Sequence, residues 1–446
     1  MFAAFASREF RRLFAAQIVA LLGTGMLTVA LSLLAYDLAG DRAGLVLGIA
    51  FAIKMVAYVV ISPLAGALLA NLSRKWVLIG SDVFRCGLAV LLPFVEAVWQ
   101  IYLLIFLLQA ASASFTPVFQ AMVADLLRDD AEYTSSLSLS RAAYDLESLL
   151  SPVIATLFLS VSVYSGLFVF TIFGFAVSAL LILSVRICNP EHDNTERSFF
   201  QRLTRGGWVY LSTPRLRGLL SVTAGAAALG AFVIVNTVVC VRQLFAGDAQ
   251  DVTLALAAFG GGSLLTAIML PRILQRISER TVMTGAAMLL GLITGIAGYL
   301  GWQGMALSWP IFLMLWGLIG MGYSAILTPG GRLLRSSSGA EDRAALFAAQ
   351  FALTHACWMV AYPLAGFLGQ SAGLMVTLMG LGGIAVLSGV LARIFWPAPD
   401  PQELLHNHMD LPADHPHLRD SAGGRHAHDF VIDDLHVRWP DGRPGT

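Results

Sequence analysis

Apolar runs of about twenty residues recur along the whole chain, separated by short polar segments. A run of this length crosses the ~30 Å hydrocarbon core of a bilayer as an α-helix, which rises ~1.5 Å per residue. Helices are favoured over strands because the backbone N–H and C=O groups of each segment must form hydrogen bonds within the membrane. The alternation of apolar and polar residues that is typical of strands is also missing from the sequence. We predict twelve transmembrane helices, near residues 13–38, 43–69, 75–97, 99–124, 135–163, 165–187, 216–244, 251–274, 281–302, 307–333, 343–369 and 371–396.

The fifth run stands out because it contains the ionisable residues Arg141, Asp145 and Glu147 within seven positions. Residues that share one half of this helix at ~100° per residue are Glu147, Ser151, Tyr144, Ser148, Arg141 and Asp145. A charge at the centre of a bilayer costs about 2.5 to 3.5 kcal/mol on insertion scales, so such residues persist mainly where they pair or line a cavity. This helix therefore predicts a polar pathway inside a helical bundle.

Composition and charge placement support an integral membrane protein. The 446 residues are 57% hydrophobic and 13% charged, and the mean hydropathy is +0.74. With the N-terminus inside, the inner segments hold eighteen Lys and Arg residues and the outer loops only Arg42 and Arg242. This bias predicts that both termini are cytoplasmic, and we expect a bacterial inner membrane. The first helix, preceded by Arg8, Arg11 and Arg12, is predicted to be retained, since no small-residue cleavage site follows.

Other classes of chemistry lack support in the sequence. The four cysteines are far apart and form no C-x-x-C, so neither a disulfide framework nor a zinc knuckle is indicated. The glycine run at 260–262 lies within an apolar helix, and no Walker lysine follows it. We expect no cofactor, no enzyme activity and no nucleic-acid partner; the expected partners are a small-molecule or metal-ion substrate, protons and the lipid bilayer, with the chain a monomer.

The chain contains two similar halves. Ala39-Gly40-Asp41 recurs as Ala246-Gly247-Asp248, and Thr116-Pro117 recurs as Thr328-Pro329. Two further matches are Leu72-Ser73-Arg74-Lys75-Trp76-Val77 with Ile277-Ser278-Glu279-Arg280-Thr281-Val282, and Ser151-Pro152 with Tyr362-Pro363. Their near-constant offset predicts a duplicated six-helix unit. We divide the chain into an N-terminal half (1–188), a linker with an amphipathic segment (189–215), a C-terminal half (216–396) and a tail (397–446).

In this arrangement the chain resembles the major facilitator superfamily over residues 10–396. The local basis is Gly66-Ala67-Leu68-Leu69-Ala70-Asn71-Leu72-Ser73-Arg74-Lys75, which is similar to the family's signature between helices 2 and 3. The family's usual Asp is Ala70 here, and its later Gly is Ser73. A carboxylate partner is therefore missing, and we expect Asp82 with Arg85, or the acidic run at 125–132, to replace it near Arg74 and Lys75.

Charged and polar residues within the predicted helices are the candidate coupling site. Arg141 and Asp145 are four apart and are expected to pair. Glu147 projects away from both and is our candidate for a proton-exchanging carboxylate, with a bridge to Lys54 as the alternative. Lys54 is either a structural lysine or a coupling residue. Alignment of the two prolines places Tyr144 opposite His355, which is a packing residue or a ligand in the central cavity.

The tail changes character and is rich in histidine. Its seven histidines are His406, His408, His415, His417, His426, His428 and His436. Three His-x-His pairs would each point two imidazoles the same way in an extended chain, which suits nickel, copper, zinc or iron; the alternative is a solvated tail. The apolar segment 430–435 is expected to dock on the bundle. The tail and the segment Leu21-Leu22-Gly23-Thr24-Gly25-Met26 together resemble the nickel-resistance branch of the superfamily. This resemblance implies export of nickel and sometimes of cobalt.

These features predict a proton-coupled secondary exporter that works by alternating access. The expected cargo is a divalent transition-metal cation such as nickel. Efflux of an organic drug or siderophore is the alternative, and a transporter-like metal receptor without flux is a further one. In this scheme Arg74, Lys75, Asp82 and Arg85 control closure of the inner face.

Overall fold

A computed structural model describes residues 3–39, 43–69, 72–159, 165–186, 198–339, 341–400, 403–407, 425–436 and 439–440. Within these residues the α-helices are α1 (Arg8–Ala39), α2 (Ala43–Leu68), α3 (Arg74–Leu91), α4 (Val98–Leu126), α5 (Asp130–Leu159), α6 (Ser165–Leu183), α7 (Phe199–Ser212), α8 (Pro214–Phe245), α9 (Ala249–Ile273), α10 (Glu279–Trp302), α11 (Trp309–Leu327), α12 (Gly330–Ser336), α13 (Arg343–Ser371) and α14 (Leu374–Phe395). Two short strands follow, β1 (Glu403–Asn407) and β2 (Arg425–Asp429).

Within the described ranges, twelve helical segments are long enough to cross a membrane, as predicted. Among the described residues, eleven segments are also sufficiently apolar, with α11 and α12 forming one span. The twelfth is α5, whose 30 residues would cross the bilayer but whose charges lower its hydropathy. The amphipathic α7 is the additional helix, and it lies between the two groups of six.

The two halves repeat each other in packing. In the first half α1 packs on α5 and α6, α3 on α4 and α6, and α2 on α4. The second half repeats every one of these contacts, with α8 on α13 and α14, α10 on α11 and α14, and α9 on α11. Between the halves α2 packs on α13 and α5 on α9, which are equivalent contacts under the same repeat. The prediction of two six-helix pseudo-repeats is confirmed.

Helix starts and close approaches agree with the repeated motifs. Ser73 and Ser278 are the N-cap residues of α3 and α10. Asp248 caps α9 by accepting hydrogen bonds from the backbone amides of Gln250 and Asp251. Its counterpart, Asp41, lies outside the described residues. Gly320 is required where α11 meets α9, since a Cβ there would overlap the Phe259 carbonyl.

The predicted amphipathic linker segment is α7. Ser198 caps its first turn, and Gln201 completes the capping box. Gly206 lies directly against the Ala345 carbonyl of α13, which fixes the buried side of α7. Exposed apolar side chains are Phe199, Phe200, Trp208 and Leu211. This arrangement is the one expected of a helix lying along a membrane surface.

Candidate functional site

A cavity of about 510 Å³ lies between the two halves of the bundle. We call the face at which α1 begins and α14 ends the terminal face, and the other the opposite face. The cavity is lined by Lys54, Met55, Tyr58, Thr116, Gln120, Leu137, Ser140, Arg141, Tyr144, Ile234, Tyr323, Leu327, Thr328, Gly330, Gly331, Leu334, Phe347, Gln350, Phe351, Thr354, His355, Trp358 and Tyr362. The lining combines aromatic rings, neutral hydrogen-bonding groups and cations, which is typical of a site for a small organic molecule.

Arg141 and Asp145 form the expected pair on α5, and the structure adds partners from the other half. Arg141 Nη2 donates to Asp145 Oδ1 at 2.5 Å. Ser263 of α9 donates to Asp145 Oδ2 at 2.5 Å and accepts from Arg141 Nε at 3.2 Å. The Arg141 guanidinium also lies 4.6 Å from the centre of the Tyr323 ring. The pair is therefore compensated internally and connects the halves.

Lys54 and His355 meet at an aromatic cluster. The Lys54 ammonium lies 5.6 Å from the centre of the Tyr58 ring, and Tyr58 contacts His355 and Phe351 with ring centres 4.5 and 4.9 Å apart. His355 Nδ1 lies 2.7 Å from the Phe351 carbonyl. Since a carbonyl only accepts, Nδ1 carries a hydrogen, and Nε2 is an acceptor whenever the ring is neutral. Tyr58 comes from α2 and the other two from α13, so the cluster spans the halves.

Glu147 lies beside the cavity and is absent from its described lining. Its side chain accepts from Ser151 Oγ at 3.4 Å. A Cβ at Gly25 of α1 would lie 2.6 Å from Glu147 Oε1 and would overlap Ser151. Glu147 therefore faces α1. It is near enough to Lys54 to interact electrostatically, but the bridge to Lys54 that we gave as the alternative is not an ion pair within contact distance. Tyr144 lines the cavity, as does His355.

Asp125 connects the halves at the terminal face. Its Oδ2 accepts from Arg74 at the start of α3, in the same half. Its Oδ1 accepts from Arg343 at the start of α13, in the other half. All three side chains are between 14% and 22% exposed, so the ion pairs are largely sheltered. Asp125 thus supplies the carboxylate that is missing from the loop before α3.

Further contacts close the same face. Tyr133 Oη donates to the Gly331 carbonyl at 3.1 Å, and a Cβ at Gly331 would lie 2.6 Å from Leu137 Cδ2. Arg335 of α12 lies 3.5 Å from Asp130 of α5. Polar contacts therefore join the halves at the terminal face and again at the level of Arg141, and we interpret them as a seal on that side of the cavity. The terminal ends of α4, α5, α12 and α13 form this seal.

Three of the residues expected to control closure have other partners. Lys75 donates to the carbonyls of Leu183 and Val185 at 2.7 Å each, where α6 ends. It therefore caps a helix of its own half and does not meet the acidic run. Asp82 and Arg85 pair with each other and are almost fully buried. Asp82 also accepts from Ser178 of α6 at 2.7 Å, so this pair is internal to the first half and does not replace the missing loop carboxylate.

The tail docks at the terminal face through its apolar segment, as predicted. Phe430 and Ile432 are 3% and 1% exposed and join the hydrophobic cluster at that face. Asp434 pairs with Arg205 of α7 at 3.2 Å, and Trp439 lies 5.1 Å from the Arg215 guanidinium. Residues 430–436 and 439 of the tail are therefore packed against the bundle near the α7–α8 junction.

The histidine pairs are only partly described. Strands β1 and β2 are antiparallel, with His406 opposite His426 and Leu404 opposite His428. His408, His415 and His417 lie outside the described residues. His436 Nδ1 contacts Asp433 at 2.8 Å; although burial opposes it, hydrogen bonding from His436 lowers the pKa of Asp433 to about 2. No group of three or more metal-ligating side chains occurs within the described part of the chain, so the metal hypothesis stays a prediction.

Several residues of the site were not predicted from the sequence. Tyr58 is four residues after Lys54, so helical spacing was an available signal for their contact. Phe351 and His355 have the same spacing. Ser263 and Arg343 had no such signal, because their partners lie 118 and 218 residues away in the other half.

Two packed six-helix repeats around a central cavity define the architecture of a secondary transporter. The Major Facilitator Superfamily model matches residues 13–239 and 220–412, and the chain belongs to that family. Its members are transporters, so the protein is a multi-pass membrane transporter with a small-molecule substrate.

The chain is 23% identical over 346 residues to the uncharacterized MFS-type transporter YfiS of Bacillus subtilis, covering 75% of this chain and 81% of that protein. The human organic anion transporter MFSD10 is structurally similar, with a TM-score of 0.71, 14% identity, and 86% and 100% of the two chains covered. FucP in its outward conformation has a TM-score of 0.64 at 14% identity, with 87% of this chain and 99% of FucP covered. These structures share the fold.

Proposed function

We propose that the protein moves a small organic solute across the membrane by alternating access, and that the structure represents the state open to the opposite face. The main observation is the central cavity, which is sealed at the terminal face by contacts between the halves. Because the α2–α13 and α5–α9 contacts are equivalent under the repeat, a rocking motion would separate their terminal ends and close their opposite ends.

The lining favours an organic cargo over the expected nickel or cobalt ion. Among the described lining residues there is no Asp, Glu or Cys, and His355 is the only imidazole. Divalent transition metals are held by imidazole, thiolate or carboxylate ligands, and Lys54 and Arg141 would repel a dication. Support for metal export comes from the tail histidines and the resemblance of the segment Leu21-Leu22-Gly23-Thr24-Gly25-Met26, not from the cavity lining. The name of MFSD10 refers to organic anions, which agrees with the cations in this cavity.

The arginine bias supports a cytoplasmic terminal face in a bacterial inner membrane, with both termini inside. In this orientation the cavity opens to the outside. Export then requires the cargo to enter the cavity from the cytoplasm after the terminal face opens. Protons are the proposed energy source, with Glu147 as the exchanging carboxylate because it is shielded and lies within electrostatic reach of Lys54. One charge moved across 100 mV supplies ~2.3 kcal/mol. Arg141 and Asp145 hold the halves together at mid-depth, and we propose a monomeric transport unit.

A redox-dependent lock tests this proposal. A Cβ at Gly66 of α2 would lie 3.5 Å from Ala348 Cβ of α13, which is within the range that a disulfide bridges. In a chain without its four natural cysteines, Gly66→Cys with Ala348→Cys should lock the terminal face shut when oxidised. A hypersensitive strain expressing the parent should resist organic compounds, and oxidation of the locked variant should abolish that resistance until a reductant restores it.

The cargo panel should include nickel and cobalt salts beside organic drugs, with each single-cysteine variant as a control. Resistance limited to nickel or cobalt would replace the organic cargo by the metal ion. Transport that continues unchanged through the oxidised variant would refute alternating access at this seal.

A further inference from the structure

The charged groups that face the cavity among the described lining residues are cationic. We propose that the cargo is an aromatic organic anion whose acidic group binds Lys54, and this assignment rests on the proposed transport function. Lys54 and Arg141 line the cavity, and the carboxylates nearest to them, Asp145 and Glu147, are not part of that lining.

Arg141 and Lys54 differ in how far protein groups already balance their charges. Arg141 is held by Asp145 at 2.5 Å, by Ser263 and by the face of Tyr323. Its charge is balanced before any cargo arrives. Lys54 contacts the face of Tyr58 and interacts with Glu147 only at longer range. A cation away from water is costly unless it is paired, so Lys54 is the group whose pairing a bound anion would complete.

The surroundings of Lys54 suit the rest of such a molecule. Tyr58 stacks edge-on to His355 and Phe351, which brings aromatic surface from both halves next to the ammonium group. Trp358 and Tyr362 continue this surface on α13, with ring centres 5.0 Å apart. Offset or edge-to-face contacts with an aromatic cargo are favourable here. A cargo bound in this way would contact both α2 and α13, the helices that must separate at the terminal face.

Cavity size is consistent with this class of ligand. A volume of about 510 Å³ lies within the range of pockets that enclose small organic molecules. A charge-assisted hydrogen bond from an ammonium to a carboxylate is roughly twice as strong as a neutral one. Discrimination between an acid and its neutral amide is therefore expected to depend on Lys54.

A matched set of probes tests the assignment on the full-length protein in proteoliposomes. Radiolabelled 1-naphthylacetate, 1-naphthylacetamide and 1-naphthylethylammonium present one ring system with an anionic, neutral or cationic group. We expect the acetate to bind about tenfold tighter than the amide, as one additional charge-assisted contact would give. Lys54→Met should reduce acetate binding to the level of the amide, whereas Lys54→Arg should retain it within a few-fold.

Arg242→Met is the charge-matched control, since Arg242 is exposed where α8 ends and does not line the cavity. Disulfide formation between positions 66 and 348 verifies that each variant retains the packed bundle. Equal binding of acetate and amide, preference for the ammonium, binding of none of the three, or unchanged acetate binding by Lys54→Met would overturn the anion assignment. In those cases oxidation of the variant with cysteines at positions 66 and 348 would still abolish transport. The anion assignment can therefore fail while alternating access is supported, and the two failures are distinguishable.

Discussion

The double ion pair at Asp125 is the most informative contact to perturb, because it includes one partner from each half. Arg74 is in the same half as Asp125, and Arg343 is in the other. In the proposed rocking motion, opening of the terminal face keeps the pair with Arg74 and breaks the pair with Arg343. Asp125→Asn therefore removes a charge interaction that stabilises the closed seal and leaves two guanidinium groups facing each other.

The structure sets the size of the effect. The Asp125 and Arg343 side chains are 22% and 15% exposed, so their pair is stronger than a fully solvated one. A hydrogen bond between charged groups contributes about 1.5 to 3 kcal/mol. Taking ~2 kcal/mol, with tenfold for every ~1.4 kcal/mol, the ratio of open to closed terminal faces should rise about 30-fold.

Thiol labelling measures that ratio directly. Ala348 is 3% exposed and accepts through its carbonyl from Ser62 Oγ across the α2–α13 contact at 3.1 Å. In a chain without natural cysteines, Ala348→Cys should react with a membrane-impermeant methanethiosulfonate only when the seal opens. Asp125→Asn should raise the labelling rate from the terminal face about 30-fold, following the open population.

Glu279→Gln is the matched control for this measurement. Glu279 accepts from Arg332 at 2.6 Å, and both residues belong to the second half and have similar exposure. Arg332 also donates to Thr134 and to the Asp130 carbonyl of α5, and Glu279→Gln removes neither of these contacts between the halves. Its loss should change the labelling rate by less than about threefold, since a pair within one half is kept in both states. Unchanged labelling of Asp125→Asn, or an equal increase in Glu279→Gln, would show that the seal does not depend on the contact between the halves.

Three further substitutions test stability. Phe430→Ala should release the docked tail, because truncating a buried phenylalanine costs about 3 to 5 kcal/mol, and limited proteolysis would detect faster cleavage of the tail. Gly25→Ala should lower Tm in detergent, since its methyl group would overlap a serine of α5 at a cost of about 1 to 3 kcal/mol, whereas Gly80→Ala, with open space around it, should not. Asp82→Asn should lower Tm more than Gly25→Ala does, because it leaves Arg85 buried without its counter-charge, which costs about 3 to 5 kcal/mol.

The helices were predictable because the membrane constrains them locally. Apolar length and short charged loops set the twelve spans within a few residues, and Ser73 and Ser278 begin α3 and α10 at equivalent places in the two repeats. The fifth span was difficult to predict from composition alone, because Arg141, Asp145 and Glu147 lower the hydropathy of α5. Helical periodicity recovered it, since these residues are polar on one side only.

The partners of the charged residues were predictable only within a helix. Arg141 and Asp145 are four residues apart, and their contact follows from helix geometry. The contact of Asp125 with Arg343 depends instead on how two six-helix units close against each other, and no local pattern encodes it. Lys75 illustrates the same point: its position near the acidic run suggested a role in closure, whereas its amine satisfies carbonyls where α6 ends.

The charged pairs of the bundle differ in whether their partners would move apart in the proposed alternating-access cycle. Asp82 and Arg85 remain in one half throughout a rocking motion, so their attraction adds equally to both states and cannot bias the equilibrium. Asp125 with Arg343, and Asp145 with Ser263, join opposite halves, so their free energies enter the difference between the states. Lys54 is in a third situation, because its strongest partner would be the cargo itself. A cargo that pairs with Lys54 and contacts α13 would add binding free energy to whichever state holds both surfaces together, so its binding would shift the balance between the two states.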